Sequence, residues 1–266
     1  FFLFFFFLNI SHTAQAQFND PFELNTDTEK SILSAGFTHL DYRHPSPFSD
    51  VPYLFENSMY AIRLSSGNKA GLMFRYGEDE INYTGGAAAD VRLINVAAEL
   101  GGSKTLYRSV GDRGNMIYIP LRVMADYFNM NNEFKPAATE QFQSDVLNQI
   151  IITGGIGLGG RYRTSSSSVV SDRILIDAYL MRSLGTSMQI NEDIFYGAAR
   201  QDHFKAQLTF LDIFSGYSLV IGYEFRNAVF RQEGFHSFVS MLSSSDDYES
   251  EYFAHTITVG LRLSRR

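Results

Sequence analysis

Along most of this chain, apolar side chains recur at every second position. The segment 252–264 is the clearest case. Phe253, His255, Ile257, Val259, Leu261 and Leu263 share one parity, and Ala254, Thr256, Thr258, Gly260, Arg262 and Ser264 share the other. Successive side chains of a β-strand point to opposite faces, so such a segment has one greasy and one polar face. The same split recurs at 218–229, where Leu219, Ile221, Tyr223 and Phe225 oppose Gly222, Glu224 and Arg226. At 115–128, Ile117, Ile119, Leu121, Val123 and Tyr127 oppose Tyr118, Arg122 and Asp126. Segments 69–77, 148–164, 172–185 and 203–213 behave alike. Two segments are poorer. Residues 33–43 do not choose a face, and 90–108 puts Val91 and Leu93 against Arg92, then slips near Asn95. A bulge or bend explains such a slip. The pattern predicts an all-β chain of about ten strands: 33–43, 57–65, 69–77, 90–108, 115–129, 148–164, 172–185, 203–213, 217–230 and 252–264.

The intervening gaps read as alternately long (44–56, 78–89, 130–147, 186–202, 231–251) and short (66–68, 109–114, 165–171, 214–216). The short ones carry turn residues such as Ser66-Gly67-Asn68 and Ser215-Gly216. A soluble sandwich or a lipocalin-like barrel would share the period of two. Three features favour a membrane wall: a polar face rich in Gly and Arg, an apolar face continuous over many strands, and segments longer than the ~5–6 residues of soluble strands. Beyond the first residues no stretch has the 18 uncharged apolar residues of a spanning helix.

In these dyad repeats, HTITVGLRLS and YSLVIGYEFR among them, the chain resembles the bacterial outer-membrane β-barrel family over roughly residues 32–264. The resemblance implies a single antiparallel up-and-down barrel, with eight or twelve strands as alternatives to ten. It also implies outer-membrane lipid and the barrel-assembly machinery as partners. The chain departs from the family in ending Leu263-Ser264-Arg265-Arg266, without a terminal aromatic, and in having no Trp, which leaves its girdles to Tyr and Phe. The run FFLFFFFL before Ala14-Gln15-Ala16 reads as a signal peptide, 1–16, cleaved before Gln17. Residues 17–31 read as a polar periplasmic lead-in and 32–266 as the barrel.

Charge is sorted by face. The predicted lumen carries Arg63, Arg75, Arg92, Arg122, Arg161, Arg163, Lys205, Arg226 and Arg262 against Asp126, Asp177 and Glu224. That face sums to +6, leaving -13 elsewhere in a chain of net charge -7. The acidic remainder argues against nucleic-acid binding. A basic lumen suits a small anion-preferring pore, with small anionic solutes as cargo. A barrel this narrow can instead fill itself with side chains, the Arg residues forming a bracing ion-pair lattice. Clustered loop carboxylates, Glu78-Asp79-Glu80 among them, suit solvated surface or divalent cations.

Motifs for catalysis are thin. With no Cys, thiol chemistry and thiolate metal sites are excluded. A ten-stranded barrel invites comparison with omptin-type proteases, but Asp202 and His203 are adjacent and would point opposite ways along a strand. His255 lies on the outward parity with Ser218 or Ser250 as candidate neighbours, yet no G-x-S-x-G elbow exists. The glycines of 154–160 lack the lysine of a phosphate loop and fit close approach of lumen side chains. The sequence therefore predicts a non-enzymatic barrel without cofactor, either structural or a small pore. The alternative is a surface binder acting through loops 186–202 and 231–251, with Phe195, Tyr196, Phe235, Phe238 and Tyr248 as contacts. A protease or lipid-modifying enzyme ranks third.

Overall fold

The structure, a computed structural model, describes residues 31–44, 53–66, 70–82, 88–108, 115–135, 143–163, 174–190, 193–214, 217–231 and 249–263. These form ten strands: β1 (Ser31–His44), β2 (Tyr53–Ser66), β3 (Ala70–Asn82), β4 (Ala88–Arg108), β5 (Met116–Lys135), β6 (Gln143–Arg163), β7 (Ile174–Ile190), β8 (Asp193–Phe214), β9 (Tyr217–Arg231) and β10 (Glu249–Leu263). Each pairs antiparallel with its neighbours in the chain. β1 closes on β10 from Ile32↔Arg262 to Arg43↔Glu251. The result is the closed ten-stranded up-and-down barrel that the dyad repeats predict. Closure leaves no edge strand to pair with another chain or with lipid. We call the end where β1 starts and β10 stops proximal, and the opposite end distal. The proposed signal peptide and nearly all of the lead-in lie outside the described residues.

At their proximal ends the strands match the sequence pattern within two residues. At their distal ends most run further. β5 continues to Lys135, β7 to Ile190, and β8 starts at Asp193. The long loop expected at 186–202 is therefore mostly strand, and so is much of 78–89 and 130–147. The expected alternation of long and short gaps does not hold. Distal connections span eight, five, seven, two and seventeen residues, proximal ones three, seven, ten and two.

The reason is an inversion of pattern along single strands. Proximally the apolar residues face outward. On β1, Leu33 and Phe37 are each 59% exposed, and on β10 so is Ile257. Distally they face inward. Leu40, Tyr42, Phe55, Met59, Val91, Leu93, Phe128, Met130, Leu147, Ile151 and Tyr252 form one buried cluster inside the distal barrel. Their neighbours Asp41, Arg43, Arg92 and Glu133 stand on the outer wall. Segment 33–43 thus has no single greasy face because it crosses from one regime to the other. In β4 the inward parity runs unbroken through Val91, Leu93, Asn95, Ala97 and Glu99. The slip read at Asn95 is a change of residue type, and the register shift of this strand lies between Thr105 and Tyr107.

The outward apolar residues form a belt. On β5 it runs from Ile117 to Tyr127, eleven residues, matching the 9–11 that a tilted strand needs to cross a bilayer. Tyr107, Tyr162 and Tyr217 border it proximally, and Tyr60, Tyr127 and Phe253 distally. This is the double aromatic girdle of a transmembrane barrel, built without Trp. Strands of 20–22 residues such as β5 and β8 are about twice as long as the belt requires, so the wall stands well beyond it on the distal side. There β2 and β3 part: their ladder covers only Tyr60↔Tyr76 to Ser66↔Ala70. Above it Asp79 accepts from the Glu56 backbone N–H at 2.9 Å and Asn57 donates to the Glu78 carbonyl at 2.9 Å, so side chains cap the parted edges.

Two solvents imply two kinds of stability defect. Ile257→Arg, in the belt, is expected to lower the unfolding free energy by about 2–4 kcal/mol. Phe128→Ala, in the distal core, is expected to cost about 3–5 kcal/mol. Arg43→Ala, on the distal outer wall, is expected to change it by less than about 0.5 kcal/mol. Urea titration in liposomes, read by heat-dependent gel mobility, measures all three.

Candidate functional site: the lumen

The middle of the lumen is a lattice of charged side chains built around two carboxylates. Glu99 on β4 accepts from Arg63 at 2.8 Å and from the Tyr179 hydroxyl at 3.0 Å, and lies 3.3 Å from Arg122 and 3.7 Å from Lys205. Glu224 on β9 accepts from Arg63 and, at 2.6 Å, from Arg226, with His203 at 3.5 Å and Arg75 at 3.9 Å. Asp126 takes both of its bonds from Arg226 Nη1, at 3.0 and 2.9 Å. Arg75 also donates to Thr38 at 3.1 Å, and Thr38 pairs with Thr256 at 2.8 Å. The guanidinium of Arg122 sits 5.5 Å from the centre of the Tyr179 ring. Nearer the proximal end, Arg161 forks onto Asp177 at 2.8 and 2.7 Å, and Tyr118 donates to the same carboxylate.

Burying so much charge is tolerable only when each ion has a partner, because an unpaired buried ion costs several kcal/mol. Sharing one carboxylate among several cations meets that need in little space. Above the lattice, the rings of the distal cluster pack together inside the barrel: Phe128 lies 5.5 Å from Tyr42 and 5.6 Å from Tyr252. Tyr42 donates to Gln149 at 2.8 Å and Gln201 to Tyr252 at 3.1 Å, so the buried hydroxyls are satisfied.

Of the twelve residues that the sequence places in the lumen, eleven lie on the inward parity. Arg63, Arg75, Arg122, Asp126, Glu224 and Arg226 are buried in the lattice, with Lys205 beside them. Arg161 and Asp177 form the proximal pair, and Arg163 and Arg262 face inward near the proximal rim. Arg92 is a correction. It stands on the distal outer wall, its side chain 56% exposed, 3.7 Å from Glu78 and 3.8 Å from Glu133. It was assigned inward because Val91 and Leu93 beside it read as lipid-facing, whereas in this part of β4 the greasy face is the inner one. Glu78, Asp79 and Glu80 are likewise strand residues of β3 and not loop.

Glu99 is the residue that sequence reasoning missed. Counting straight on by twos from Leu93 reaches it; the apparent slip at Asn95 concealed it. His203, the first residue of the predicted strand 203–213, is 1% exposed inside the lattice, its ring edge-on to Tyr179 at 5.4 Å. It shares a parity with Lys205, which signals its place. With Arg92 removed and Glu99 added, the set expected in the lumen becomes eight cations and four carboxylates.

Four of the expected surface sites change place or drop from view. Asp202 lies outside, bonded to Arg182 at 2.8 Å, while His203 lies inside, so the barrel wall separates them. His255 is on the outer face with its Nδ1 2.8 Å from the Tyr223 hydroxyl, whereas Ser218 is buried within. Phe195 and Tyr196, expected on a loop, belong to β8, opposite Met188 and Ser187. Phe235, Phe238 and Tyr248 lie outside the described residues. Among the glycines of 154–160, Gly159 shows why a side chain is barred: a Cβ there would lie 2.5 Å from the Tyr118 ring.

No family model matches the sequence, and no curated protein matches it. Its fold is that of a bacterial outer-membrane β-barrel. Solved structures similar to it include the outer membrane protease OmpT from Escherichia coli, at 11% identity and TM-score 0.43, covering 93% of this chain and 99% of that one. The translocator domain of autotransporter NalP from Neisseria meningitidis follows at 9% identity and TM-score 0.33, covering 97% of each. A Pseudomonas aeruginosa FadL homologue gives 7% identity and TM-score 0.31, covering 94% of this chain and 93% of that one. Likeness at this level is of the barrel alone. The expectation that the chain is not an enzyme is not upheld by these comparisons, since one of the barrels it is similar to is a protease.

The lattice makes a quantitative prediction. Glu224→Ala removes the carboxylate that Arg63, Arg75 and Arg226 share; Arg63 keeps Glu99 and Arg226 keeps Asp126, but Arg75 loses its ion pair, and the change is expected to cost about 3–5 kcal/mol. Arg92→Ala, which breaks only exposed pairs, is expected to cost no more than about 1 kcal/mol. Replacing Arg226 and Asp126 together by Met and Leu is expected to recover most of what either single change loses, in a urea-unfolding double-mutant cycle.

Proposed function

We propose that the protein is a sealed structural barrel of the outer membrane, and that its working surface is the wall and connections standing distal to the belt. The observation that carries this reading is the filled bore. The ion lattice occupies the belt level and the aromatic cluster the distal level. Beside the lattice the lumen leaves a pocket of about 20 Å³, room for one or two waters where a single water needs about 10–15 Å³. The distal wall faces the cell exterior, consistent with termini on the periplasmic side, export by the signal peptide 1–16, and insertion by the assembly machinery. Its outward Asp41, Glu56, Glu78, Glu80 and Glu133 present an acidic surface on a rigid frame. Such a surface suits contacts outside the cell.

A small anion-preferring pore is the second reading, favoured by the excess of inward cations. Single-channel recording in planar bilayers separates the two. The sealed reading predicts no discrete steps from the native barrel. Anion-selective steps that lose their selectivity in Arg226→Ala would favour the pore and reject the seal.

A further inference from the structure

Beyond the belt, the wall between β2 and β3 does not close. Their ladder stops at Tyr60↔Tyr76, although β2 stays paired with β1 as far as Tyr53 and β3 with β4 as far as Asn82. Neither is an edge strand of the barrel, yet residues 53–59 and 77–82 leave a seam between them. Tyr60 belongs to the distal girdle, so the seam starts where the lipid belt ends.

The sequence itself holds the seam open. Extending the register past Tyr60↔Tyr76 would set Asn57 opposite Asp79 and Glu56 opposite Glu80. Asn57 lies between Phe55 and Met59, and Asp79 between Gly77 and Ile81, on the parity that faces the distal apolar core. A zipped ladder would drive an amide and a carboxylate into that core. It would also set two glutamates side by side on the outer wall, and both arrangements are costly. Instead, the Asn57 and Asp79 side chains turn into the seam and stand in for a strand. Asp79 accepts from the backbone N–H groups of Glu56 and Glu80, each at 2.9 Å. Asn57 accepts from the Ser58 N–H at 2.7 Å and donates to the Glu78 carbonyl at 2.9 Å. Two side chains thus hold four backbone groups of the kind that an added strand pairs with. On the outer wall Glu56, Glu78 and Glu80 flank the seam, with Asp41 opposite Glu56 on β1 and Arg92 3.7 Å from Glu78. On the inner side Phe55 and Met59 pack over Gly77, where a Cβ would lie 2.9 and 2.7 Å from them.

We propose that the seam takes up an extended peptide as an added strand. Cationic side chains at alternate positions would meet Glu56, Glu78 and Glu80, and small apolar ones between them would cover Phe55 and Met59. The alternation follows from the pleat of a strand, and the positive sign from the carboxylates outside. Lipid is not the occupant, because the seam lies beyond the belt. The inference rests on the reading of the distal wall as a contact surface outside the cell and adds the chemistry of the partner; it does not depend on the sealed bore.

Fluorescence anisotropy of a labelled nine-residue peptide of alternating Lys and Val, titrated with the detergent-refolded barrel, tests the seam. The native barrel is expected to bind it saturably. A peptide with Pro in place of each Val has the same charge but cannot complete a ladder, and is expected to bind about tenfold or more weakly. Asn57→Val/Asp79→Val gives the core side chains it accepts and lets the seam zip, and is expected to lose binding to a similar extent. Asp41→Asn, which also removes one carboxylate but leaves the seam, is expected to stay within about threefold of the native affinity. Heat-dependent gel mobility establishes that each variant is folded, and if the double variant does not fold, the two peptides on the native barrel decide. Equal affinity for both peptides, or native affinity in the folded double variant, would mean that the acidic wall attracts cations without the seam. That result overturns the added strand and leaves the contact surface standing. Absence of binding by either peptide overturns the added strand and counts against the contact surface as well. A dimer that forms without peptide and is lost in the double variant would give the seam to a second copy of the chain, and the peptide would be overturned.

Discussion

A ten-stranded wall encloses a space too narrow for bulk water and too polar to be left empty, so its inward face must satisfy itself. Glu99 and Glu224 make that possible. Between them they engage cations from β2, β3, β5, β8 and β9, and Asp126 ties β5 directly to β9. Thr38 and Thr256 bring β1 and β10 into the same network through Arg75. Strands whose backbones meet only their immediate neighbours are thereby coupled across the bore. The low dielectric that makes each unpaired ion costly is also what makes this coupling strong. Such a lattice braces a barrel and, in the reading proposed here, closes it at the same time.

The second organising fact is that each long strand is built for two solvents. Within the belt, lipid is the apolar phase, so Leu, Ile and Val face outward and charge faces inward. Beyond the belt, water surrounds the wall and the bore is the only apolar phase left, so the assignment reverses. β1 makes the change between Phe37 and Leu40, and β4 between Leu93 and Glu99. No change of backbone is needed, because parity continues through the switch. The distal core then does what the core of a soluble protein does, and it lets the wall rise beyond the membrane without collapsing.

The fold was legible because period two survives in every strand within the belt, where outward residues face a uniform solvent. Strand number, closure and the inward side of Arg63, Arg122, Arg161, Arg226 and Arg262 follow from that alone. What misled was the assumption that greasy means outward throughout. It put Arg92 inside, hid Glu99, and turned the distal ends of β5, β7 and β8 into loops. The partners of Glu99 and Glu224 were beyond sequence reasoning for a different reason. They join residues up to 161 positions apart, as in Arg63 with Glu224, and only the closed register brings such residues together.

The sealed lumen is the claim on which the account turns, and the chain's lack of cysteine allows it to be probed directly. Ala97 is 3% exposed at the level of the lattice, and Asp41 stands exposed on the distal outer wall. With single Cys residues introduced at each position in turn, a charged, water-soluble thiol reagent should modify Asp41→Cys rapidly in the membrane-inserted barrel. Ala97→Cys should remain unmodified until the barrel is unfolded. Comparable modification of both in the folded state would mean that water and solute pass the lattice, and the barrel would be open.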